Sequence, residues 1–184
     1  MGSAAPRVPA HFLGAIAASP WAGVTWRNHG RRYGPTDPGG SRLISGRYHR
    51  APDRFPNDPC WPALYLSLSD GGAIAELTRR LEPTTLAGLN NRRLTRIRVS
   101  LSVVLDLRDP LVLGLALADV TNDYDYSITQ EIAATALRRG VEGLLVPAAS
   151  LVSANLVILV DNLLPSSLIE PLDSVDPRLY VPHS

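Results

Sequence analysis

Hydrophobic and polar residues are arranged along the chain in patterns that predict its strands. Residues 63–69 form a strand-like run, and residues 94–107 alternate apolar and polar positions in their first half, as a half-buried strand does. Shorter strands are expected at residues 24–27 and 46–49. Two later apolar runs, GLLVPA and NLVILV, have the length and composition of buried strands.

Helices are expected at three places, the first at about residues 9–19. The second is predicted at about residues 71–82. Asp70 is a good N-cap for the exposed amides of its first turn, and Pro83 is a residue at which a helix ends. Pro110 opens a small helical patch before the third helix.

The third helix, at about residues 128–139, carries signals at both ends. Ser127 and Gln130 have the spacing of a capping box, and Gly140 suits the position that follows a helix C-terminus. Because strands and helices interleave, the sequence predicts an α/β (α+β) fold, a single domain with a mixed central sheet flanked by helices.

Length and composition are consistent with one folded domain. The chain has 184 residues, 45% of them hydrophobic, which suffices for a sizeable core. We expect an N-terminal helical extension over residues 1–21, a main domain over residues 22–162 and a proline-rich tail over residues 163–184. The tail is expected to lie extended over the surface and to pack on the domain.

Charge and cysteine content exclude several classes of protein. The net charge is +1, so neither nucleic acid nor a membrane surface is an expected partner. Cys60 is the only cysteine and the four histidines lack metal-ligand spacing, so neither a disulfide framework nor a metal is expected. No signal peptide and no run of about 20 apolar residues is found, which predicts a cytoplasmic protein.

Four polar residues are candidates for a site, and each also has an ordinary structural interpretation. Glu76 is either an exposed partner of Arg80, worth about 0.3–0.5 kcal/mol, or a carboxylate that points over the strand ends where ligands collect. Arg47 is either solvated or paired at a sheet edge, and Tyr65 is either partly buried with a satisfied hydroxyl or part of a site. Ser127 is a plain N-cap in the simpler interpretation.

Five motifs, taken in order, resemble the RES-domain family, the toxin half of bacterial RES–Xre toxin–antitoxin pairs. They are GRY, ALYLSLSDGGAIAEL, NDYDYSITQEIA, GLLVPA and NLVIL, and the resemblance covers about residues 22–160. It implies a fold similar to ADP-ribosyltransferases and a type II toxin that consumes NAD⁺ as its substrate. It also implies an Xre-type antitoxin as protein partner.

The resemblance also implies which residues of this chain occupy the family's active-site positions. Arg47, Tyr65 and Glu76 fall on the family's active-site positions, Ser127 on its serine, and Arg27 on an upstream arginine near the site. The main domain, residues 22–162, would then be the NAD-binding catalytic domain.

The chemistry of NAD⁺ explains why such residues are needed. Nicotinamide is already a cationic leaving group, so the barrier lies in the positive charge that builds on the ribose. A carboxylate, here Glu76, stabilises that charge. Arg47, with Arg27 as a second candidate, would bind the pyrophosphate, and Tyr65 would hold the nicotinamide ring. The hydroxyl of Ser127 would form a hydrogen bond with nicotinamide or ribose.

Three features depart from the family pattern. Tyr48-His49 stands where Trp-Asn is common, Asn28 stands where an aromatic residue is common, and the proline-rich loop at residues 50–62 is long. Whether that loop is a lid stays open. The acceptor of the ADP-ribosyl group also stays open between water, inorganic phosphate and a protein side chain.

Two other functions are compatible with the sequence. One is a catalytically silent interaction module of the same fold, against which the intact Arg47, Tyr65 and Glu76 argue. The other is nucleic-acid binding, because seven arginines and only two acidic residues lie between Arg27 and Arg54. We expect the rim of a diphosphate pocket there rather than direct nucleic-acid binding.

Overall fold

Six strands form one mixed sheet in the computed structural model, which describes residues 14–80 and 89–180. The strands are β1 (Ser19–Gly30), β2 (Ala63–Ser67), β3 (Arg92–Asp106), β4 (Gly143–Pro147), β5 (Ala154–Leu159) and β6 (Leu168–Val175). Their order is β1-β2-β5-β4-β3-β6, and β1 also pairs with β3, so five strands are linked in a closed ring. The β3–β4 pairing is parallel and the others are antiparallel.

Within the described residues, three α-helices are seen from end to end and lie between the strands, and the expected mixed α/β domain with a flanked central sheet is confirmed. They are α1 (Asp70–Arg80), α2 (Leu117–Thr121) and α3 (Ser127–Arg138), accompanied by 3-10 turns at Gly39–Arg42, Pro110–Leu113, Val160–Asn162 and Pro177–Tyr180. The predicted second and third helices are thus present, as is the helical patch that begins at Pro110. Pro83, the predicted stop of the second helix, lies outside the described residues.

The two faces of the sheet pack against different hydrophobic clusters. Successive strand residues point to opposite faces, so neighbours on β5 contribute to different clusters. Val157 packs in the cluster that contains Ile132 of α3, whereas Ile158 packs with Leu66 and Leu101. All five of these side chains are at most 2% exposed, which explains the apolar runs of the sequence.

A buried carboxylate ties β4 to the sheet and to the segment before β6. Glu142 is fully buried, and its Oε2 accepts from the amides of Ser102 and Val103 at 2.7 and 2.9 Å. Its Oε1 accepts from the Leu164 amide at 3.3 Å and from the Ser167 hydroxyl. Burial raises the pKa of this carboxyl, but the four donors outweigh it and hold the pKa below its ordinary value.

The start of α1 differs from the sequence expectation in its capping residue. Ser69, one residue before the helix, accepts from the Gly72 amide through its Oγ at 3.0 Å, which is the N-cap role. Asp70 is the first helical residue, and its carboxylate accepts from the Gly71 amide at 2.7 Å.

The capping box predicted for α3 is absent. Ser127 is the first helical residue, Tyr126 holds the N-cap position, and no side chain caps it. Gln130 instead extends its amide to the carbonyls of Gly46 and His49, at 3.0 and 3.2 Å. Its side chain is used for a tertiary contact, which local spacing does not reveal. Gly140 follows the helix with φ at 70°, as predicted.

The strand predicted at residues 46–49 is wrong, because this segment is a tight turn. Gly46 and His49 exchange backbone hydrogen bonds at 3.2 and 3.4 Å, with Arg47 and Tyr48 at the tip. A Cβ on Gly46 would lie 2.3 Å from the His49 ring, so only glycine permits this close approach.

The two ends of the chain also differ from expectation. Of the helix predicted at residues 9–19, residues 9–13 lie outside the described part; Gly14 and Ala15 are helical, and β1 already begins at Ser19. In the tail expected to lie over the surface, Leu168–Val175 form β6, which pairs with β3. The division into segments at residues 21/22 and 162/163 stays a prediction. No helix among the described residues is long and apolar enough to cross a membrane.

Candidate active site

Four of the five residues predicted from the sequence line one cavity of about 1060 Å³: Arg27, Arg47, Tyr65 and Glu76. They come from β1, from the turn at residues 46–49, from β2 and from α1. Ser127 does not line the cavity. It is exposed, and its amide donates to the Asp125 carboxylate at 2.8 Å.

Positive charge predominates in the cavity lining. Six arginines and three carboxylates line it, namely Arg27, Arg31, Arg32, Arg47, Arg79 and Arg92 with Asp37, Glu76 and Asp123. Guanidinium groups bind phosphate and carboxylate through paired hydrogen bonds, so this lining suits an anionic ligand. None of residues 50–62 lines the cavity, so the long loop does not cover it here.

Glu76 is half-buried on the face of α1 that is turned to the sheet. The helix approaches β2 closely, because a Cβ on Gly72 would lie 2.5 Å from the Ser67 hydroxyl. One carboxylate oxygen, Oε1, accepts from the Ser150 amide at 2.8 Å. Within the described residues Oε2 accepts no hydrogen bond, so it is available to a ligand. The side chain of Arg80, the alternative partner, lies outside the described residues.

Tyr65 is held by its hydroxyl. The oxygen accepts from the Tyr48 amide at 2.8 Å and lies 2.9 Å from Nδ1 of His49. Nε2 of His49 is 2.7 Å from the carbonyl of Ile44, which can only accept, so Nε2 carries the proton. In the neutral ring Nδ1 is therefore the acceptor, and the Tyr65 hydroxyl donates to it. His49, which stands out in the sequence only as a departure from a pattern, thus orients Tyr65.

Arg47 is bound to the last residue of α2 and to the two residues that follow it. Its guanidinium donates to the carbonyls of Thr121 and Asn122 at 3.1 and 3.0 Å, and to the Asp123 carboxylate at 2.9 Å. Asp123 also pairs with Arg79 of α1. Arg47 is 11% exposed, and its Nη1 makes no hydrogen bond to the described residues. The same arginine therefore fixes this segment and keeps donors for a ligand.

Arg27 is held by the loop after β1. Its two terminal nitrogens donate to the carbonyls of Pro35 and Asp37 at 2.7 and 2.8 Å. Burial lowers the pKa of this guanidinium to about 10, against the opposing effect of the Asp37 carboxylate. Arg27 therefore remains charged at neutral pH.

His29 is a buried polar residue of the cavity lining that the sequence did not single out. Its Nδ1 lies 3.1 Å from the carbonyls of both Gly30 and Tyr33, and its Nε2 lies 2.8 Å from the Thr95 hydroxyl. Burial lowers its pKa, and the neighbouring Arg27 acts in the same direction. His29 is thus neutral at pH 7 and supports the end of β1.

Part of the arginine-rich stretch is engaged within the molecule. The guanidinium of Arg50 lies 4.5 Å from the ring centroid of Phe55 and 5.2 Å from that of Trp61. Arg54 lies 5.9 Å from the Tyr126 ring. These contacts and those of Arg27 and Arg47 favour a pocket rim over a continuous surface for nucleic acid.

Comparison with known proteins gives one family and a related structure. The family model described as RES domain matches residues 19–173, which includes the cavity and five strands entirely. The chain is similar to a crystal structure of the MbcT–MbcA toxin–antitoxin complex of M. tuberculosis, with a TM-score of 0.76 and 24% identity over 93% of each chain. That likeness shows the fold. No curated protein matches the chain significantly.

Proposed function

Because this chain belongs to the RES domain family, as its motifs indicated, we propose that it is a toxin that consumes NAD⁺ by cleaving the nicotinamide–ribose bond. The observation that carries this proposal is the Glu76 carboxylate in the arginine-lined cavity. One of its oxygens is fixed by the Ser150 amide and the other is available.

A carboxylate held in this way suits a glycosidic bond. As nicotinamide leaves, positive charge develops on the ribose, and a negative group positioned beforehand stabilises the transition state more than the ground state. The bond between Oε1 and the Ser150 amide limits rotation of the carboxylate, so little reorganisation is needed. Glu76 therefore stabilises the oxocarbenium-like transition state in our proposal.

Cavity size and charge agree with a dinucleotide. A volume of about 1060 Å³ lies just above the roughly 300–1,000 Å³ that small-molecule pockets span. Arg47, through its remaining Nη1 donors, and Arg27 are proposed to bind the pyrophosphate. The Tyr65 ring, oriented by His49, is proposed to hold the nicotinamide. Ser127 takes no part in this proposal, because it does not line the cavity.

A toxin of this family is expected to have a protein partner, and the proposal therefore includes one. Family membership, together with the similar fold of a chain solved in a toxin–antitoxin complex, supports an antitoxin, which we propose to be of the Xre type. The acceptor is water, inorganic phosphate or a protein side chain.

Nicotinamide release from NAD⁺ by the purified, antitoxin-free protein tests the activity. The assay is run with and without inorganic phosphate, beside Glu76→Gln and Glu170→Gln. Glu170 pairs with Arg98 at the surface and does not line the cavity, so it is a matched control. We expect release by the wild type and by Glu170→Gln, and a loss of about 10²-fold or more in Glu76→Gln. Equal release by all three would remove Glu76 from the mechanism.

A further inference from the structure

A smaller pocket of about 160 Å³ adjoins the main cavity, and the proposed chemistry leaves most of its lining unassigned. Six residues line both spaces and therefore stand at the junction, namely Arg27, Asn28, Tyr65, Glu76, Arg92 and Asn155. Trp26 lines the smaller pocket and not the main cavity. Its volume suits a single substituted aromatic ring.

Strand register explains why these side chains meet. Trp26 pairs with Ser67 of β2, and Ser67 pairs with Asn155 of β5. Residues paired across neighbouring strands project to the same face, so the three form a row across the sheet. Asn28 lies two residues beyond Trp26 on β1 and therefore shares that face. Helix α1 covers the pocket with Ala73, Glu76 and Leu77.

The side-chain amide of Asn28 has a buried donor for which the described residues supply no acceptor. Its Oδ1 accepts from Nη1 of Arg92 at 3.4 Å, and because arginine only donates, the amide orientation is fixed. Its Nδ2 is buried and makes no hydrogen bond to the described residues. Buried polar groups are normally paired, so an orphaned amide in a pocket lining indicates a ligand group.

Asn155 supplies the second amide. Its backbone belongs to β5, and its side chain makes no hydrogen bond within the described part of the chain. The pocket therefore offers a fixed donor from Asn28, an adjustable amide from Asn155, and the aromatic rings of Trp26 and Tyr65. A planar ring that bears a carboxamide matches this set, since the group has one acceptor and one donor side.

We propose that Asn28 and Asn155 bind the carboxamide of the nicotinamide ring and make the enzyme selective for it, an inference that rests on the proposed function. The carboxamide oxygen accepts from Nδ2 of Asn28, and its NH₂ donates to Oδ1 of Asn155. With the ring in the smaller pocket, the ribose lies at the junction, where Glu76 stands. A nicotinic acid ring lacks the donor and brings a negative charge towards Glu76.

Turnover of NAD⁺ and of nicotinic acid adenine dinucleotide tests the selectivity. We expect the wild type to prefer NAD⁺ by at least about tenfold in kcat/KM. Asn28→Asp removes the donor, so NAD⁺ turnover should fall at least about tenfold. Asn155→Asp still accepts from the carboxamide, so NAD⁺ turnover should fall less than in Asn28→Asp while the preference for NAD⁺ increases. Asn90→Asp is the control, because exposed Asn90 lines neither pocket.

The different responses expected of Asn28→Asp and Asn155→Asp distinguish recognition of the carboxamide from a purely structural role of these residues. Melting temperatures of all variants are measured first, and Asn28→Ala replaces Asn28→Asp if the latter is unfolded. Folded Asn28 and Asn155 variants that keep the wild-type ratio of the two substrates would overturn the inference. The inference would also be overturned if NAD⁺ turnover fell by a similar factor in Asn28→Asp and in Asn155→Asp.

A binding experiment separates this inference from the proposed function. Free nicotinamide and nicotinic acid are titrated into the protein while the indole N–H resonance of Trp26 is followed by NMR. Nicotinamide binding that is weakened by Asn28→Asp, in a protein that does not cleave NAD⁺, would support the carboxamide site and overturn the proposed function. NAD⁺ cleavage without any preference for the carboxamide would overturn the inference and leave the function in place.

Discussion

Replacement of Glu142 by glutamine is the most direct test of how the sheet is held together. The substitution keeps the shape of the side chain but turns one of its two accepting oxygens into an NH₂ group. If the remaining oxygen stays on the amides of Ser102 and Val103, the new NH₂ faces the Leu164 amide, and two donors meet. Ser167 can still accept through its hydroxyl.

The expected cost follows from those contacts. Loss of one hydrogen bond to a charged group costs about 1.5–3 kcal/mol. The Leu164 amide keeps the Ser167 hydroxyl as an acceptor at 3.1 Å, so it adds little to this cost. Relief from burying a charge offsets part of this loss. We therefore expect Glu142→Gln to lower the free energy of unfolding by about 1–2 kcal/mol at pH 7.

Urea unfolding at a series of pH values measures this effect. The native-state pKa of Glu142 lies below its ordinary value, so its contribution is complete above the pKa of the unfolded chain. That contribution is lost as the pH falls through the native value, and the gap between wild type and variant should narrow there. Glu170→Gln, whose side chain is 46% exposed, should change stability by no more than about 0.5 kcal/mol. The reasoning would be refuted if the free energies of unfolding of the wild type and Glu142→Gln differed by less than about 0.5 kcal/mol at pH 7. It would also be refuted if that difference became larger as the pH falls.

Three further predictions concern the cavity lining. Arg47→Ala should raise KM for NAD⁺ and expose the segment at residues 121–123 to proteolysis, since one guanidinium serves both; steady-state kinetics and limited proteolysis measure this. Tyr65→Phe leaves the Tyr48 amide without its acceptor, so we expect a loss of about 1–3 kcal/mol in stability and a lower kcat/KM, measured by urea unfolding and nicotinamide release. The lowered pKa of His29 means that stability rises with pH below the ordinary value of 6.5, by at most about 1.4 kcal/mol per pH unit, and His29→Gln should flatten that slope in urea unfolding.

Each of these predictions has a result that contradicts it. An unchanged KM in Arg47→Ala would place the pyrophosphate elsewhere in the cavity. Full activity of Tyr65→Phe at matched folding would show that the hydroxyl is not needed to orient the ring. A slope of stability against pH that is the same in His29→Gln and in the wild type would assign that slope to other groups.

Local patterns predicted most elements of the fold. Alternation in β3 and the apolar runs of β4 and β5 identified the strands, because those side chains are buried on one or both faces. The turn at residues 46–49 was missed, because its shape depends on the His49 ring that packs over Gly46. Strand β6 was missed, because Pro171 and its neighbours mask a strand that pairs only along β3.

The site was predictable to a smaller extent. Arg27, Arg47, Tyr65 and Glu76 were found through motifs, and the structure brings them together. Their partners lie far away in the chain: Ser150 is 74 residues from Glu76, and Asn122 is 75 from Arg47. No local period encodes contacts of this kind.

The central place of β5 has a consequence for synthesis of the protein on the ribosome. Residues 63–67 of β2 pair with β5 along their whole length but with β1 at one position only, so β2 stays largely unpaired until residue 159 has been made. The Ser150 amide that fixes Glu76 also emerges late. A nascent chain therefore contains Arg47, Tyr65 and Glu76 long before these residues form a cavity. Under the proposed function, an active toxin therefore exists only after residue 159 has been made.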